Sequence, residues 1–129
     1  MRILDVGSGP VQKLISDYLE IEVIPFDKQI NPSDDMESLP YPDKSFDLVI
    51  CINALDHTKD AKQAVREMLR VGGMVYINCA IDQKTRHRKK HYWDAKPNGV
   101  FTNGEVSFDL EDYGFEIDFD DGRMIACYR

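Results

Sequence analysis

The strongest constraint on what this 129-residue chain can fold into lies in its first 26 residues. Arg2 to Val6 is a short apolar run with β-branched Ile3 and Val6, and it ends on Gly7-Ser8-Gly9-Pro10. Val11, Leu14, Ile15, Tyr18 and Leu19 then recur at the spacing of an amphipathic helix, with Pro10 suited to its first turn. Glu22 to Phe26 returns to strand character. Strand, glycine turn, helix and strand in so short a span form a β-α-β unit, whose crossover is right-handed and whose strands are parallel. That unit commits the chain to an α/β sheet.

The rest of the chain extends the alternation. Residues 27–44 are polar and carry Pro32, Pro40 and Pro42, so a loop of nearly 20 residues is expected; loops that long are usually functional. Phe46 to Ile52 is the most apolar strand and is expected at the sheet centre, buried on both faces. Ala61, Ala64, Val65, Met68 and Leu69 repeat the helical stripe, with Asp60 as N-cap and Gly72 or Gly73 as the stop. Met74 to Ala80 reads as a further strand and Asn103 to Tyr113 as a short helix ending at Gly114. Phe115 to Phe119 and Arg123 to Tyr128 alternate in polarity about Asp121-Gly122, a dipeptide that favours a tight hairpin. The expected fold is α/β: a Rossmann-like three-layer sandwich with a minimal, mostly parallel six-stranded sheet ending in an antiparallel hairpin. The strand order expected is second, first, third, fourth, sixth, fifth, in a single domain spanning residues 1–129.

Composition narrows the function classes. No apolar run approaches the ~20 residues needed to cross a bilayer, and nothing resembling a leader precedes Ile3, so a cytoplasmic protein without a membrane partner is expected. Acids outnumber bases 23 to 16, and a net charge of −7 argues against nucleic acid as a partner. Cys51, Cys79 and Cys127 each lie in an apolar strand-like run without a C-x-x-C pair, and read as reduced core residues.

Three features carry chemistry. The Gly7-Ser8-Gly9 turn lets the backbone approach a ligand at a helix N-terminus, although a strand-to-helix turn also needs glycine for geometry alone. It is not a dinucleotide fingerprint, because G-x-G-x-x-G would need glycine or alanine at Gln12. Asp27 follows the second strand, 20 residues beyond Gly7, where a carboxylate can accept two hydrogen bonds from a ribose diol or stand as a solvated acid. The third is Asp35-Met36-Glu37-Ser38-Leu39-Pro40-Tyr41-Pro42-Asp43-Lys44-Ser45-Phe46-Asp47-Leu48-Val49-Ile50.

Together with Asn53-Ala54-Leu55-Asp56-His57, Glu67-Met68-Leu69-Arg70-Val71 and Gly72-Gly73, these segments resemble the class I S-adenosylmethionine-dependent methyltransferases. The resemblance implies that Asp5, Gly7, Ser8 and Gly9 wrap the methionine portion of S-adenosyl-L-methionine. Asp27 would grip the ribose with Lys28 beside the adenine; Asp35 would read the adenine amino group and Met36 pack on the ring. Cys51 to Asn53 would be the strand end lying under the sulfonium, with Asn53 the cofactor contact. Asp56 and His57 occupy the place from which the family often reaches its acceptor, and they are the catalytic candidates. Methyl transfer from a sulfonium needs mainly orientation and desolvation, with a base useful only where the acceptor must lose a proton. His57 suits that task, since imidazole titrates near neutrality; a loop histidine, and for Asp56 a helix cap, are the plainer readings.

The sequence also departs from the family. Val11 stands where the turn usually has its third glycine, and Asp27 and Asp35 are eight residues apart where a helix and an edge strand are usual. The usual basic-proline link before Gly72-Gly73 is absent, and the N-terminal helices that cover the cofactor are expected to be missing. A small-molecule acceptor is the default partner. The alternative is a catalytically reduced methyltransferase-like binding or scaffold protein, as a homo-oligomer or with a partner chain completing its site. Lys84, Arg86, Arg88, Lys89 and Lys90, interleaved with His87 and His91, read either as a solvated loop or as a surface for an anionic acceptor or a partner's acidic surface. Tyr92 and Trp93 beside them would stack on the acceptor or anchor the loop. Asp118-Phe119-Asp120-Asp121-Gly122 lacks the spacing of a calcium loop.

Overall fold

The computed structural model describes residues 1–7, 22–28, 31–32 and 34–129. The helical stripe from Val11 to Leu19, with Ser8 and Gly9 before it, lies outside the described residues. Strands β1 (Arg2–Val6), β2 (Glu22–Phe26), β3 (Phe46–Ile52) and β4 (Gly72–Ala80) are followed by short strands β5 (Asp94–Ala95), β6 (Val100–Thr102) and β7 (Ser107–Asp109), then by the hairpin β8 (Glu116–Asp120) and β9 (Arg123–Tyr128). The main sheet has the order β2-β1-β3-β4-β9-β8, as the sequence predicts. Its first four strands are mutually parallel and the hairpin is antiparallel. Asp121 (φ 48°) and Gly122 (φ 75°) both take positive φ, the geometry of a two-residue turn matching strand twist. Among the described residues no helix is long and apolar enough to cross a membrane.

The register sets which face is core. Leu4, Val49 and Val75 lie side by side, as do Cys51, Ile77 and Ala126, and all are buried in one apolar cluster. Helix α1 (Ala61–Val71) adds Ala61, Ala64, Val65, Met68 and Val71 to that cluster. On the opposite face Ile3 and Val23 are buried, but Leu48 and Ile50 are half-buried, and Ile52 and Met74 exposed. The expectation that β3 is buried on both faces is therefore corrected: α1 packs on one side, and alternate residues of β3 point away from it.

Helix α1 is bounded as its sequence foretells. The Asp60 carboxylate accepts from the Gln63 amide at 3.1 Å. At the other end the Lys44 ammonium donates to the carbonyls of Leu69 (3.2 Å) and Gly72 (3.0 Å), placing a cation on the helix C-terminus. Gly72 ends the helix and starts β4 with no intervening loop, and a Cβ there would lie 2.6 Å from Val49 Cγ2.

A second sheet, β5-β6-β7, is absent from the sequence reading, and its strand β7 takes Ser107–Asp109 out of the helix expected from Asn103 to Tyr113. Phe101 and Phe108 face each other across β6 and β7 and stack at 5.5 Å, a cross-strand pair that fixes period-two geometry. Only Leu110–Tyr113 turns helically, as a single 3-10 turn closed by Gly114 at φ 91°.

Candidate functional site

The carboxyl ends of β1, β2 and β3 meet at Gly7. Its amide donates to the Phe26 carbonyl at 2.7 Å, its φ is 81°, and a Cβ would sit 2.2 Å from the Ala54 Cβ. Glycine is thus required both by conformation and by close packing of the turn on the segment that leaves β3. Asp27 follows at the end of β2; its amide donates to Asp34 Oδ2 at 3.1 Å and its carbonyl accepts from the Asn31 amide at 2.9 Å.

The long loop before β3 is strapped to α1. Asp35 Oδ1 accepts from the Glu37 amide (2.9 Å), and Glu37 Oε2 accepts from the Thr58 hydroxyl (2.5 Å) and the Asp60 amide (3.0 Å). Further along, Glu67 Oε1 accepts from the Leu39 amide at 2.9 Å. The Arg70 guanidinium donates to the carbonyls of Leu39 (2.9 Å) and Tyr41 (2.7 Å), to Asp43 (2.9 Å) and to Glu67 (2.6 Å). The hydrogen bond from Arg70 holds the Glu67 carboxyl below its usual range, with burial opposing and the Leu39 amide assisting.

At the end of β3, Asn53 takes φ 53°, and its amide donates to the Asn78 carbonyl at 2.8 Å. Its side-chain oxygen accepts from Arg123 Nη2 (2.6 Å), while Arg123 Nε donates to Asn78 Oδ1 (2.5 Å). A residue of the closing hairpin therefore fixes the end of the central strand. The chain then makes a 3-10 turn, Leu55–His57, that buries Asp56. His91 Nδ1 donates to Asp56 Oδ2 at 2.6 Å, and His57 Nδ1 donates to the Lys90 carbonyl at 2.6 Å. Trp93 is buried, its indole N–H donating to the carbonyls of Thr58 (3.0 Å) and Lys59 (3.2 Å), so it anchors the basic segment to the core. Tyr92 stays exposed. Residues 86–90 are exposed, while Lys84 is half-buried against the Asn103 carbonyl. Burial, with Asp5 and Asp56 close by, pushes the Cys51 thiol up to about 12, and burial raises Cys79 as well; both are free core thiols.

These elements surround a cavity of about 500 Å³. Of the sequence-predicted residues, Gly7, Asp27, Lys28, Asp35, Met36, Asn53 and His57 line it. Asp5 is buried in β1 just before Gly7, and Asp56 is buried behind His57; neither lines the cavity. Ser8 and Gly9 lie outside the described residues. The sequence reading missed Glu37, Thr58 and Lys59 as lining residues and His91 as the partner of Asp56, whereas Lys90 and Tyr92, offered there as acceptor contacts, do line the cavity. One signal was available for His91: it sits two residues before Trp93, whose large apolar ring had to anchor the segment somewhere on the core.

Comparison with known proteins agrees with this geometry. Residues 28–77 match the family model for a methyltransferase domain. An uncharacterized methyltransferase, YcgJ of Bacillus subtilis, is 54% identical over 35 residues, which is 27% of this chain and 14% of that protein. Ajmaline N-methyltransferase of Rauvolfia serpentina is 46% identical over 37 residues, 29% of this chain and 13% of that protein. The crystal structure of Bacillus YcgJ superposes with a TM-score of 0.52 at 28% identity, covering 62% of this chain and 44% of that one. The PH0226 protein of Pyrococcus horikoshii shares the fold over 99% of this chain and 82% of its own, with a TM-score of 0.62 at 18% identity. The matches to YcgJ and ajmaline N-methyltransferase thus reach less than half of those proteins' lengths. Residues 28–77 are thus similar to a methyltransferase domain, and the chain shares a Rossmann-like fold with the solved structures it superposes on.

Proposed function

We propose that the chain binds S-adenosyl-L-methionine in the cavity beside Gly7 and Asp27 and directs its methyl group to a small polar acceptor. The observation that carries this reading is the convergence of Gly7, Asp27, Asp35, Met36 and Asn53 on one cavity of about 500 Å³, within the range of cofactor sites. The donor set fits the group: a glycine at positive φ where the backbone is approached, acids at the strand ends for hydroxyl and amino donors, and a thioether for a ring face. When bound, the cofactor supplies an activated methyl on a sulfonium. The chain's part is to bind and orient. Asp27 takes the ribose hydroxyls and Lys28 flanks the base. Asp35, with its carboxylate held by the Glu37 amide, takes the adenine amino group, and Met36 covers the ring. Asn53, pinned by Arg123, closes the floor at the end of β3. His57, Lys59, Lys90 and Tyr92 form the remaining wall, where the acceptor enters, and their cations and hydroxyl suit an acceptor carrying oxygen or negative charge. Asp56 supports that wall from behind.

Calorimetric titration with S-adenosylmethionine and S-adenosylhomocysteine is the test. Binding is expected, and Asp27→Ala should weaken it by about 1–3 kcal/mol through loss of a charge-assisted contact. Absence of binding at millimolar ligand would overturn the proposal, and unchanged affinity in Asp27→Ala would remove that residue from the site.

A further inference from the structure

All three histidines of the chain gather at one buried carboxylate. The His57 and His91 rings are 4.2 Å apart between centroids, and His87 is 6.3 Å from His91. Asp56, His57 and His91 each offer one ligand atom, and these atoms all lie within 4.8 Å of one another. Within this group Asp56 Oδ1 is buried without a geometrically defined hydrogen bond among the described residues; His57 Nε2 lies 3.9 Å from it, and the Cys79 thiol, a weak donor, also faces the Asp56 carboxyl. A buried, unsatisfied carboxylate oxygen is expensive unless something cationic completes it.

From this we infer that Asp56, His57 and His91 form a binding site for a divalent first-row transition cation of the zinc class. The ligand chemistry matches, two imidazoles and one carboxylate being a set such cations take with coordination positions left open. The tautomer matches too. The Lys90 carbonyl can only accept, so His57 carries its proton on Nδ1, and Nε2 presents a lone pair when the ring is neutral. A ring nitrogen held by an oxygen acceptor while the other faces the metal is the usual support of a ligating histidine. The cation would take the place of the proton between His91 and Asp56 and complete Asp56 Oδ1. Tetrahedral bonds of about 2.0–2.1 Å place ligand atoms roughly 3.3 Å apart, so His57 needs to close by about an ångström or a little more, while His91 Nδ1 and Asp56 Oδ2, 2.6 Å apart, open slightly to admit the ion. His57 lines the cavity, as do Lys90 and Tyr92 on either side of His91, so the open positions face the acceptor end. In this respect the inference rests on the proposed function; metal binding itself does not.

The experiment uses the full chain freed of metal by chelation, titrated with zinc by calorimetry and with cobalt(II) followed by its visible absorption. One equivalent is expected to bind, with the cobalt spectrum of a nitrogen- and oxygen-ligated low-coordinate ion. His57→Gln and Asp56→Asn should each weaken binding roughly 10–100-fold or more, while His87→Ala should leave it unchanged. His57 is 39% exposed, so its variant keeps the test alive if Asp56→Asn does not fold. Failure to bind one equivalent, equal affinity in His57→Gln, or a loss in His87→Ala as large as in His57→Gln would overturn the inference. S-adenosylhomocysteine titrated into the same samples separates the two proposals: cofactor binding without metal binding sinks only this one.

Discussion

Gly7 shows how one missing methylene organises the site. Its neighbour is the Ala54 Cβ, so an alanine here meets both a left-handed backbone and a Cβ–Cβ separation of only 2.2 Å. Gly7→Ala should lower stability by about 2–4 kcal/mol, combining the conformational cost with the overpacking. Ala54→Gly in that background should recover the overlap part alone. Chemical denaturation of the two single variants and the double variant checks this; unchanged stability in Gly7→Ala would contradict it. The sequence marked Gly7 and Asp27 because spacing along a β-α-β unit leaves a trace in one dimension, and Asp35 through the resemblance to the methyltransferases. For His91 the only trace was its nearness to Trp93, because the contact with Asp56 spans 35 residues and depends on where that indole docks.

At the scale of elements, the strap across residues 39–43 depends on a single guanidinium, since Arg70 reaches two carbonyls and two carboxylates of the loop and helix. Arg70→Ala should cost about 2–3 kcal/mol and loosen the wall formed by Asp35 and Met36, seen as faster amide exchange across residues 34–43 with α1 less affected. Glu67 supplies a pH signature. Its folded-state pKa is depressed, so its contribution is fully present above the unfolded value of about 4.3 and is lost as pH falls through the lower folded value. The stability gap between the parent chain and Glu67→Gln should therefore be constant from neutrality to about pH 5 and shrink below about 4.3. Denaturant titrations at several pH values measure it, and a gap indifferent to acid would count against the Arg70 pairing. Helix α1 was legible because its stripe, its Asp60 cap and its glycine stop all agree. The strand β7 was not, because three residues are too few to show a period and the Phe101 contact that sets it is made in space.

On the scale of the whole molecule, the sheet order was legible from the β-α-β unit and the Asp121-Gly122 turn, since parallel crossovers have one hand and hairpin strands are neighbours. The second sheet and the uneven covering of the main one were not, because they depend on how much of each face α1 reaches. The cavity draws on both halves of this architecture: one side comes from the ends of β1 and β2 and the strapped loop, and the other from the turn after β3 and the segment anchored by Trp93. The hairpin has a further consequence. β9 lies between β4 and β8, so the nine-residue β4 has both its edges occupied only while the hairpin is docked. A chain cut after Gly122 would expose a long, apolar row of unpaired amides and carbonyls, an edge of the kind that pairs with another copy of itself. Light scattering of that shortened chain should report dimers or larger species where the intact one gives a smaller mass, and equal masses would refute this. Besides completing the sheet and pinning Asn53, the hairpin then serves as a guard against self-association.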